Sequence, residues 1–408
     1  MVGTQAAPAP AHADVPREGF FPGFDGLRAI AALGVLVTHA WLLSGFDRGS
    51  RLSPYLAQLD IGVPVFFVIS GFLLYRPFVA ARVAGSPPTA ARSFWKRRFL
   101  RIFPGYWLCL FVVAFVMTGQ PLPTGAFLER VFLVQQYGSH PIGAPVQQAW
   151  TLTVEIAFYL FLPVYASAIR RVRPARWSAV AVEAAGVGAL YMVSVAYRAG
   201  MLAAGVEPNR FGKYRLWLPG YLDQLALGMG LAVLSVALAR RNRADLRVPP
   251  WLPAASWGLA AAVFWVDVKG LELPLYPDLD LRTHTTLMLE QFVRGLFGLF
   301  LVLPAVLGPP RRGAIRGFLN SRVMAWLGVV SYGVYLWHEA WLDVYRDWRG
   351  LTVFGTGSML ELLVTCLALT IPTAALSYYL VERPAQRWKN RRGPFPEPVR
   401  GRLRLRRA

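Results

Sequence analysis

Ten long apolar stretches run through the sequence, and they limit the folds open to the chain. A helix needs about 20 mostly apolar residues to cross the hydrocarbon core of a bilayer. The stretches lie near residues 27–44, 58–80, 100–118, 150–169, 177–198, 216–238, 250–268, 287–308, 323–345 and 358–381. Backbone groups inside a bilayer must be satisfied within each segment, and strand-like alternation is absent. We therefore predict an all-α fold, a polytopic transmembrane helix bundle of about ten spans.

The composition agrees with a membrane protein. Hydrophobic residues make up 55% of the 408 residues and charged residues only 16%, against about 25% charged residues in soluble domains. The net charge of +21 would suit nucleic-acid binding, but the Lys and Arg residues fall in short clusters between apolar segments, where they set membrane topology. The sequence therefore argues against a soluble protein and against a nucleic-acid partner.

The basic clusters also predict the orientation of the bundle. They occupy alternate connections, at residues 82–98, 170–176, 240–247 and 311–322, and the tail at 387–407. Cytoplasmic loops carry the excess of Lys and Arg. Both termini are therefore expected in the cytoplasm, as an even number of spans requires.

Three regions follow from this pattern. Residues 1–20 are rich in Ala and Pro and lack the basic segment and apolar core of a signal peptide, so we expect a disordered tail there. The membrane domain is expected over 21–385, and a basic cytoplasmic tail over 386–408.

The first span carries two ionisable residues on one face. Arg28 lies at its cytoplasmic end, and His39 follows eleven residues later. Eleven residues are close to three helical turns, so both side chains point the same way, about 16 Å apart. Ionisable residues inside spans are costly and are functional candidates by default.

The predicted topology sorts the other ionisable residues into two layers. The inner layer holds Arg28, Arg76, Arg98 and Arg101. The outer layer holds His39, Glu155, Asp223, Arg294, His338 and Glu339. An anion from the cytosol with a long neutral arm could bind its phosphates in the inner layer and present a reactive end to His39.

Each candidate also has a structural interpretation. A single intramembrane His often only links two helices, Arg98 and Arg101 could be topology anchors, and Glu155 could neutralise a neighbouring cation. For Asp223 and Arg294 the structural interpretation, a buried ion pair with each other, is favoured.

Other motifs are few. Cys109 and Cys366 lie within apolar runs and are expected to be packing residues. Ser70 precedes Gly71, which suggests close helix approach; Ser70 could also be a nucleophile, but no G-x-S-x-G surrounds it. The sequence has no HExxH, P-loop or Cys/His cluster, so no metal is expected.

Six segments together resemble one known family, the acyltransferase-3 family of integral membrane O-acyltransferases. They are FDGLRAIAALGVLVTHAW (24–41, with Arg28 and His39), GVPVFFVISGFLLYRPF (62–78), RRFLRIFPGYW (97–107, with Arg98, Arg101, Pro104 and Tyr106), WTLTVEIAFYL (150–160, with Glu155), LGVVSYGVYLWHEA (327–340) and SYYLVERPAQRW (377–388). Six motifs in the right order are far more specific than any one of them.

The resemblance implies a ten-span O-acyltransferase of a bacterial inner membrane, here expected without an added esterase-like domain. The donor would be a cytosolic acyl-CoA, with acetyl-CoA expected. The acceptor would be a hydroxyl of a cell-envelope carbohydrate, glycolipid or secondary metabolite. Arg28, Arg98 and Arg101 would bind the CoA phosphates. His39 would be the general base or an acyl relay, and Glu155 would orient its imidazole.

Two other functions stay open. A transporter of an anionic acyl compound would also suit a bundle with buried ionisable residues, although no internal repeat is visible. It predicts flux without thioester cleavage. A non-catalytic membrane partner is the third interpretation, which the presence of both His39 and Glu155 disfavours.

Overall fold

The structure is a computed structural model of the chain. It describes residues 21–118, 122–138, 145–206, 213–240, 249–271, 284–307, 313–351 and 358–388, except residues 22, 45, 47, 48 and 174. Within these ranges the chain forms helices and turns and no strand, which confirms the all-α prediction. The predicted tail at 1–20 lies outside the described residues, as does the predicted basic tail from residue 389 onward.

Fourteen α-helices are described, which we number in chain order. They are α1 (Gly23–Leu43), α2 (Ser53–Ala57), α3 (Gly62–Val83), α4 (Ala91–Phe111), α5 (Thr124–Val131), α6 (Trp150–Arg171), α7 (Ala179–Ala203), α8 (Leu218–Arg240), α9 (Leu252–Trp265), α10 (His284–Val306), α11 (Ala314–Leu319), α12 (Arg322–Arg349), α13 (Met359–Ser377) and α14 (Arg383–Trp388). Short π-helical segments extend α4 (Val112–Met117), α9 (Val266–Gly270) and α13 (Tyr378–Glu382). Single 3₁₀ turns precede α3 (Leu59–Ile61) and α6 (Gln147–Ala149).

All ten predicted segments are helical, and among the described residues eight helical segments are long and apolar enough to cross a membrane. The eight are Gly23–Leu43, Ser53–Val83, Ala91–Met117, Gln147–Arg171, Ala179–Ala203, Lys213–Arg240, Thr285–Val306 and Met359–Trp388. The other two are α9, which has 14 residues before its π-helical end, and α12, whose polar residues lower its mean hydropathy. The chain is thus a multi-pass membrane protein. A total of ten spans and the cytoplasmic termini stay predictions.

Helix α1 lies inside the bundle. It packs along α12 on one side and against α3 on another. From α3 the packing continues to α8 and then α7, and α10 joins α3 to α9, while α13 covers α12. Leu27, Leu36 and Ala40 of α1 are fully enclosed, so the helix that carries Arg28 and His39 is held by neighbours along its length.

Two glycines allow α3 and α8 to cross in backbone contact. A Cβ on Gly228 would lie 2.0 Å from the carbonyl oxygen of Val68, and a Cβ on Gly71 would lie 2.1 Å from the carbonyl oxygen of Leu225. Small residues at such crossings let membrane helices approach closely, where van der Waals packing replaces the missing hydrophobic force. The interpretation of Gly71 as a point of close helix approach agrees with this geometry.

Substitution of Gly228 should therefore destabilise the bundle. We expect Gly228→Ala to lower the free energy of unfolding by about 1–3 kcal/mol, because the new methyl group forces the two backbones apart. Thermal unfolding in detergent measures the effect. Gly230→Ala in the same helix is the control, since its Cβ would meet its nearest atom at 3.9 Å. Equal loss of stability in both variants would contradict the crossing.

Candidate active site

Two cavities lie along α1, one beside Arg28 and one beside His39. The Arg28 cavity encloses about 850 Å³ of empty space, part of it open to solvent, and its lining includes Arg28, Ser70, Arg98, Arg101, Glu155 and Tyr159. The His39 cavity encloses about 1050 Å³ on the same measure, and its lining includes His39, Gln58, Asp60, Gln224, Glu290 and Arg294. Val63 of α3 lines both, so the two spaces meet at this residue.

The three predicted phosphate ligands share the Arg28 cavity. Arg28 comes from α1, while Arg98 and Arg101 come from neighbouring turns of α4. The guanidinium of Arg28 donates to Asp25 at 3.1 Å. The guanidinium of Arg98 lies 5.7 Å from the ring centre of Phe94 and 5.9 Å from that of Tyr159. Aromatic faces thus position one of the three cations that line this cavity.

Glu155 also lies in the Arg28 cavity, among the cations. Its Oε1 accepts hydrogen bonds from the hydroxyls of Ser70, at 2.9 Å, and Tyr159. The expectation that Glu155 would orient His39 does not match these contacts, because the two residues line different cavities. Similar depth in the bilayer led to that expectation. The rotation of α6, which depth does not give, turns the carboxylate toward Ser70.

His39 instead contacts two consecutive residues of α12. Its Nδ1 lies 2.7 Å from Nε2 of His338 and 3.7 Å from a carboxylate oxygen of Glu339. The other carboxylate oxygen of Glu339 accepts the backbone N–H of Gln148 at 3.2 Å. The sequence predicts that His338 and Glu339 lie at the depth of His39, and this shared depth is the signal in the sequence that points to the contact.

Polar and aromatic side chains form the rest of the His39 cavity. Arg294 makes ion pairs with Asp60 and Glu290, each at 3.1 Å, and with Asp267 at 3.3 Å. Gln224 is 1% exposed, and its Oε1 has no hydrogen-bond partner in the part of the chain that the structure describes. Trp41, Trp150 and Tyr221 also line the space. Such a lining can bind a molecule rich in hydroxyl groups.

The expected ion pair between Asp223 and Arg294 is wrong. Asp223 pairs with Arg198 of α7 at 2.8 Å, and both side chains are at most 4% exposed. Arg198 also donates to the backbone oxygen of Gly220 at 2.6 Å. Arg294 is engaged by the three carboxylates described above. Both residues take part in ion pairs, as favoured from the sequence, but each has a different partner.

The other sequence candidates have structural surroundings. Cys109 and Cys366 are buried free thiols. Arg76 of α3 donates to the hydroxyl of Ser235 at 3.1 Å. Over the residues that the structure describes, no group of three or more His, Cys, Asp or Glu side chains could hold a metal ion.

Fold and cavities together define a multi-pass helical membrane protein with an arginine-lined cavity next to one that contains a histidine. The model of a family described as an acyltransferase domain matches residues 21–382. The chain therefore belongs to the acyltransferase-3 family, as its motifs predicted.

Curated relatives carry acyl-transfer names. The chain is 27% identical to acyltransferase MdmB of Streptomyces mycarofaciens, over 94% of this chain and 97% of the relative. It is 25% identical to the putative peptidoglycan O-acetyltransferase YrhL of Bacillus subtilis, over 90% of this chain and 55% of that protein. It is 23% identical to peptidoglycan O-acetyltransferase OatA of Listeria monocytogenes, over 78% of this chain and 49% of that protein. The chain thus spans about half the length of the latter two. No solved structure matches it.

The two corrected ion pairs can be separated by double-mutant cycles. We expect Arg198→Gln and Asp223→Asn to couple by about 1 kcal/mol or more, because either change alone leaves a buried charge unpaired. Arg294→Gln and Asp223→Asn should instead be additive within about 0.5 kcal/mol. Thermal unfolding of the single and double variants in detergent measures both. Coupling of Asp223 to Arg294 rather than to Arg198 would refute the pairing.

Proposed function

We propose that this protein is an O-acyltransferase of a bacterial inner membrane that moves an acyl group, acetyl being expected, from cytosolic acyl-CoA to an acceptor hydroxyl. The acceptor is a cell-envelope carbohydrate, a glycolipid or a secondary metabolite. The observation that carries the proposal is the pair of cavities that meet at Val63 beside one helix. Membership of the acyltransferase-3 family supports the class of reaction.

The Arg28 cavity suits the phosphates of a CoA thioester. Guanidinium groups bind phosphate through paired, charge-assisted hydrogen bonds, and three of them line this one space. Their predicted position near the cytoplasmic surface matches the compartment that supplies acyl-CoA. The long neutral arm of CoA would then run along α1 toward Val63, a path of about 16 Å between the levels of Arg28 and His39.

His39 is proposed as the group that activates the acceptor. In the direct route its imidazole removes the proton of the acceptor hydroxyl, the oxygen attacks the thioester carbonyl carbon, and the carbon–sulfur bond breaks. The proton then passes to the departing thiolate. In the relay route the imidazole attacks the thioester carbonyl carbon first, and the carbon–sulfur bond breaks to release the CoA thiolate. The acceptor hydroxyl then attacks the acyl-imidazole, the carbon–nitrogen bond breaks to free His39, and the hydroxyl's proton passes to the thiolate. Glu339, 3.7 Å from Nδ1, would stabilise the positive charge that either route places on the ring.

The His39 cavity is proposed as the acceptor side of the reaction. Its aromatic rings and the Gln224 amide oxygen, which has no hydrogen-bond partner among the described residues, suit a molecule with many hydroxyl groups. Two relatives are named as peptidoglycan O-acetyltransferases, one of them putatively, which agrees with an acceptor of this kind. Glu155 is proposed to act from the donor side, where it fixes Ser70 and Tyr159 among the arginines.

Release of CoA thiol by purified protein tests the central claim. We expect detergent-solubilised wild type, given acetyl-CoA and cell-envelope extract, to release thiol, and His39→Ala to lose this activity by about 10²–10⁴-fold while remaining folded. Cys366→Ala is the matched control: Cys366 is buried but lines neither cavity, so its replacement should leave thiol release unchanged. Full activity in folded His39→Ala would overturn the role of His39. Uptake of an acyl compound into proteoliposomes without thiol release would identify a transporter instead.

Replacement of Arg28 tests the donor site. Arg28→Met should raise KM for acetyl-CoA about 10–100-fold with little change in kcat, because a charge-assisted hydrogen bond contributes about 1.5–3 kcal/mol. Arg173→Met, at an exposed arginine near the end of α6, should leave both constants unchanged. Steady-state kinetics with varied acetyl-CoA gives the comparison. A lower kcat at unchanged KM would contradict phosphate binding by Arg28.

A further inference from the structure

The imidazole of His338 is anchored by its own helix. His338 is fully buried, and its Nδ1 lies 2.8 Å from the carbonyl oxygen of Tyr335 and 3.2 Å from that of Val334. A carbonyl oxygen only accepts hydrogen bonds. Nδ1 of His338 must therefore carry a hydrogen and donate it to the backbone.

The other nitrogen of His338 is then an acceptor. In a neutral imidazole only one of the two ring nitrogens carries a hydrogen. Burial disfavours the charged form, and no carboxylate contacts this ring within the described part of the chain. Nε2 of His338 thus presents a lone pair, and the atom 2.7 Å away is Nδ1 of His39.

The relation of the two rings fits one direct hydrogen bond. Their planes are within 12° of parallel, and their centroids are 5.0 Å apart. That separation is the sum of the 2.7 Å contact and the two ring radii, so the rings meet edge to edge rather than face to face. Nδ1 of His39 is consequently the donor, and in the neutral form of this ring Nε2 carries no hydrogen.

We propose that His338 is a positioning residue: it accepts the Nδ1 hydrogen of His39 and so keeps Nε2 of His39 unprotonated as the reactive nitrogen. This inference rests on the proposed function of His39 and adds the atom that reacts. It assigns to a second histidine the task that a carboxylate has in a catalytic triad, where the wrong tautomer of the base removes most of the activity.

Backbone anchoring gives this arrangement its selectivity. The carbonyls of Val334 and Tyr335 belong to α12, so the tautomer of His338 follows from the helix itself and needs no further charged partner. Glu339 approaches the same Nδ1 of His39 from the adjacent position, and its second oxygen is held by the N–H of Gln148. Both contacts therefore fall on Nδ1, and neither uses Nε2.

Two replacements of His338 separate this role from simple packing. His338→Leu fills the space but offers no acceptor, whereas His338→Gln can place an amide oxygen near the former position of Nε2. We expect the Leu variant to lose on the order of 100-fold in kcat with KM for acetyl-CoA unchanged. The Gln variant should recover at least 10-fold of that loss. The Cys366 thiol contacts the backbone oxygen of His338. Cys366→Ala is therefore the control for a general disturbance of the packing around α12.

A spectroscopic measurement reads the tautomer directly and does not depend on turnover. The chain has five histidines, so the ring ¹⁵N signals of His-labelled protein can be assigned by comparison with the His39→Ala and His338→Leu variants. We expect His39 in the wild type to show a protonated Nδ1 and a bare Nε2. In His338→Leu the opposite tautomer should gain population.

The outcomes distinguish this inference from the proposed function. A protonated Nε2 on neutral His39 in the wild type, or unchanged tautomer and kcat in folded His338→Leu, would overturn the role of His338. Equal losses of kcat in His338→Leu and His338→Gln, with the His39 tautomer unaffected, would do the same. Absence of acyl transfer by the wild type would refute the proposed function alone, while the ¹⁵N signals would still decide the hydrogen bond.

Discussion

Close backbone contact around α1 is the constraint on which the rest of the structure depends. A Cβ on Gly62 would lie 2.4 Å from the carbonyl oxygen of Ala31, and one on Gly328 would lie 2.0 Å from that of Asp25. Helices α3 and α12 therefore approach the backbone of α1 so closely that only glycine, which has no side chain, fits at these two positions. Since α1 carries both Arg28 and His39, this packing holds Arg28 in one cavity and His39 in the other.

Local patterns predicted most of the fold and the shared depth of the arginines that line one cavity. The apolar stretches located the ten long helices but not short ones such as α5 and α11, because segment length and hydropathy are local properties of the sequence. The eleven-residue spacing of Arg28 and His39 gave their shared face for the same reason. Arg98 and Arg101 lie one turn apart on α4, so their convergence with Arg28 required only that α1 and α4 face the same cavity at similar depth.

Partners between distant helices were not predictable in this way. Depth in the bilayer placed Glu155, Asp223, His338 and Glu339 in one layer with His39, but it did not give the rotation of each helix or its neighbours. The contact between His39 and His338 joins residues 299 positions apart, and it exists because α12 rather than α6 packs along α1. The same uncertainty led to the wrong partner for Asp223.

The meeting of two cavities at Val63 has a consequence for the membrane itself. Val63 is 8% exposed and borders both spaces. Under the proposed function, one space receives a donor from the cytosol and the other an acceptor. A continuous file of water between them would conduct protons and dissipate the potential across the bilayer. An apolar side chain at the junction opposes such a file, since it offers water no hydrogen bond. The protein would then pass an acyl group from one cavity to the other without letting protons leak across the membrane.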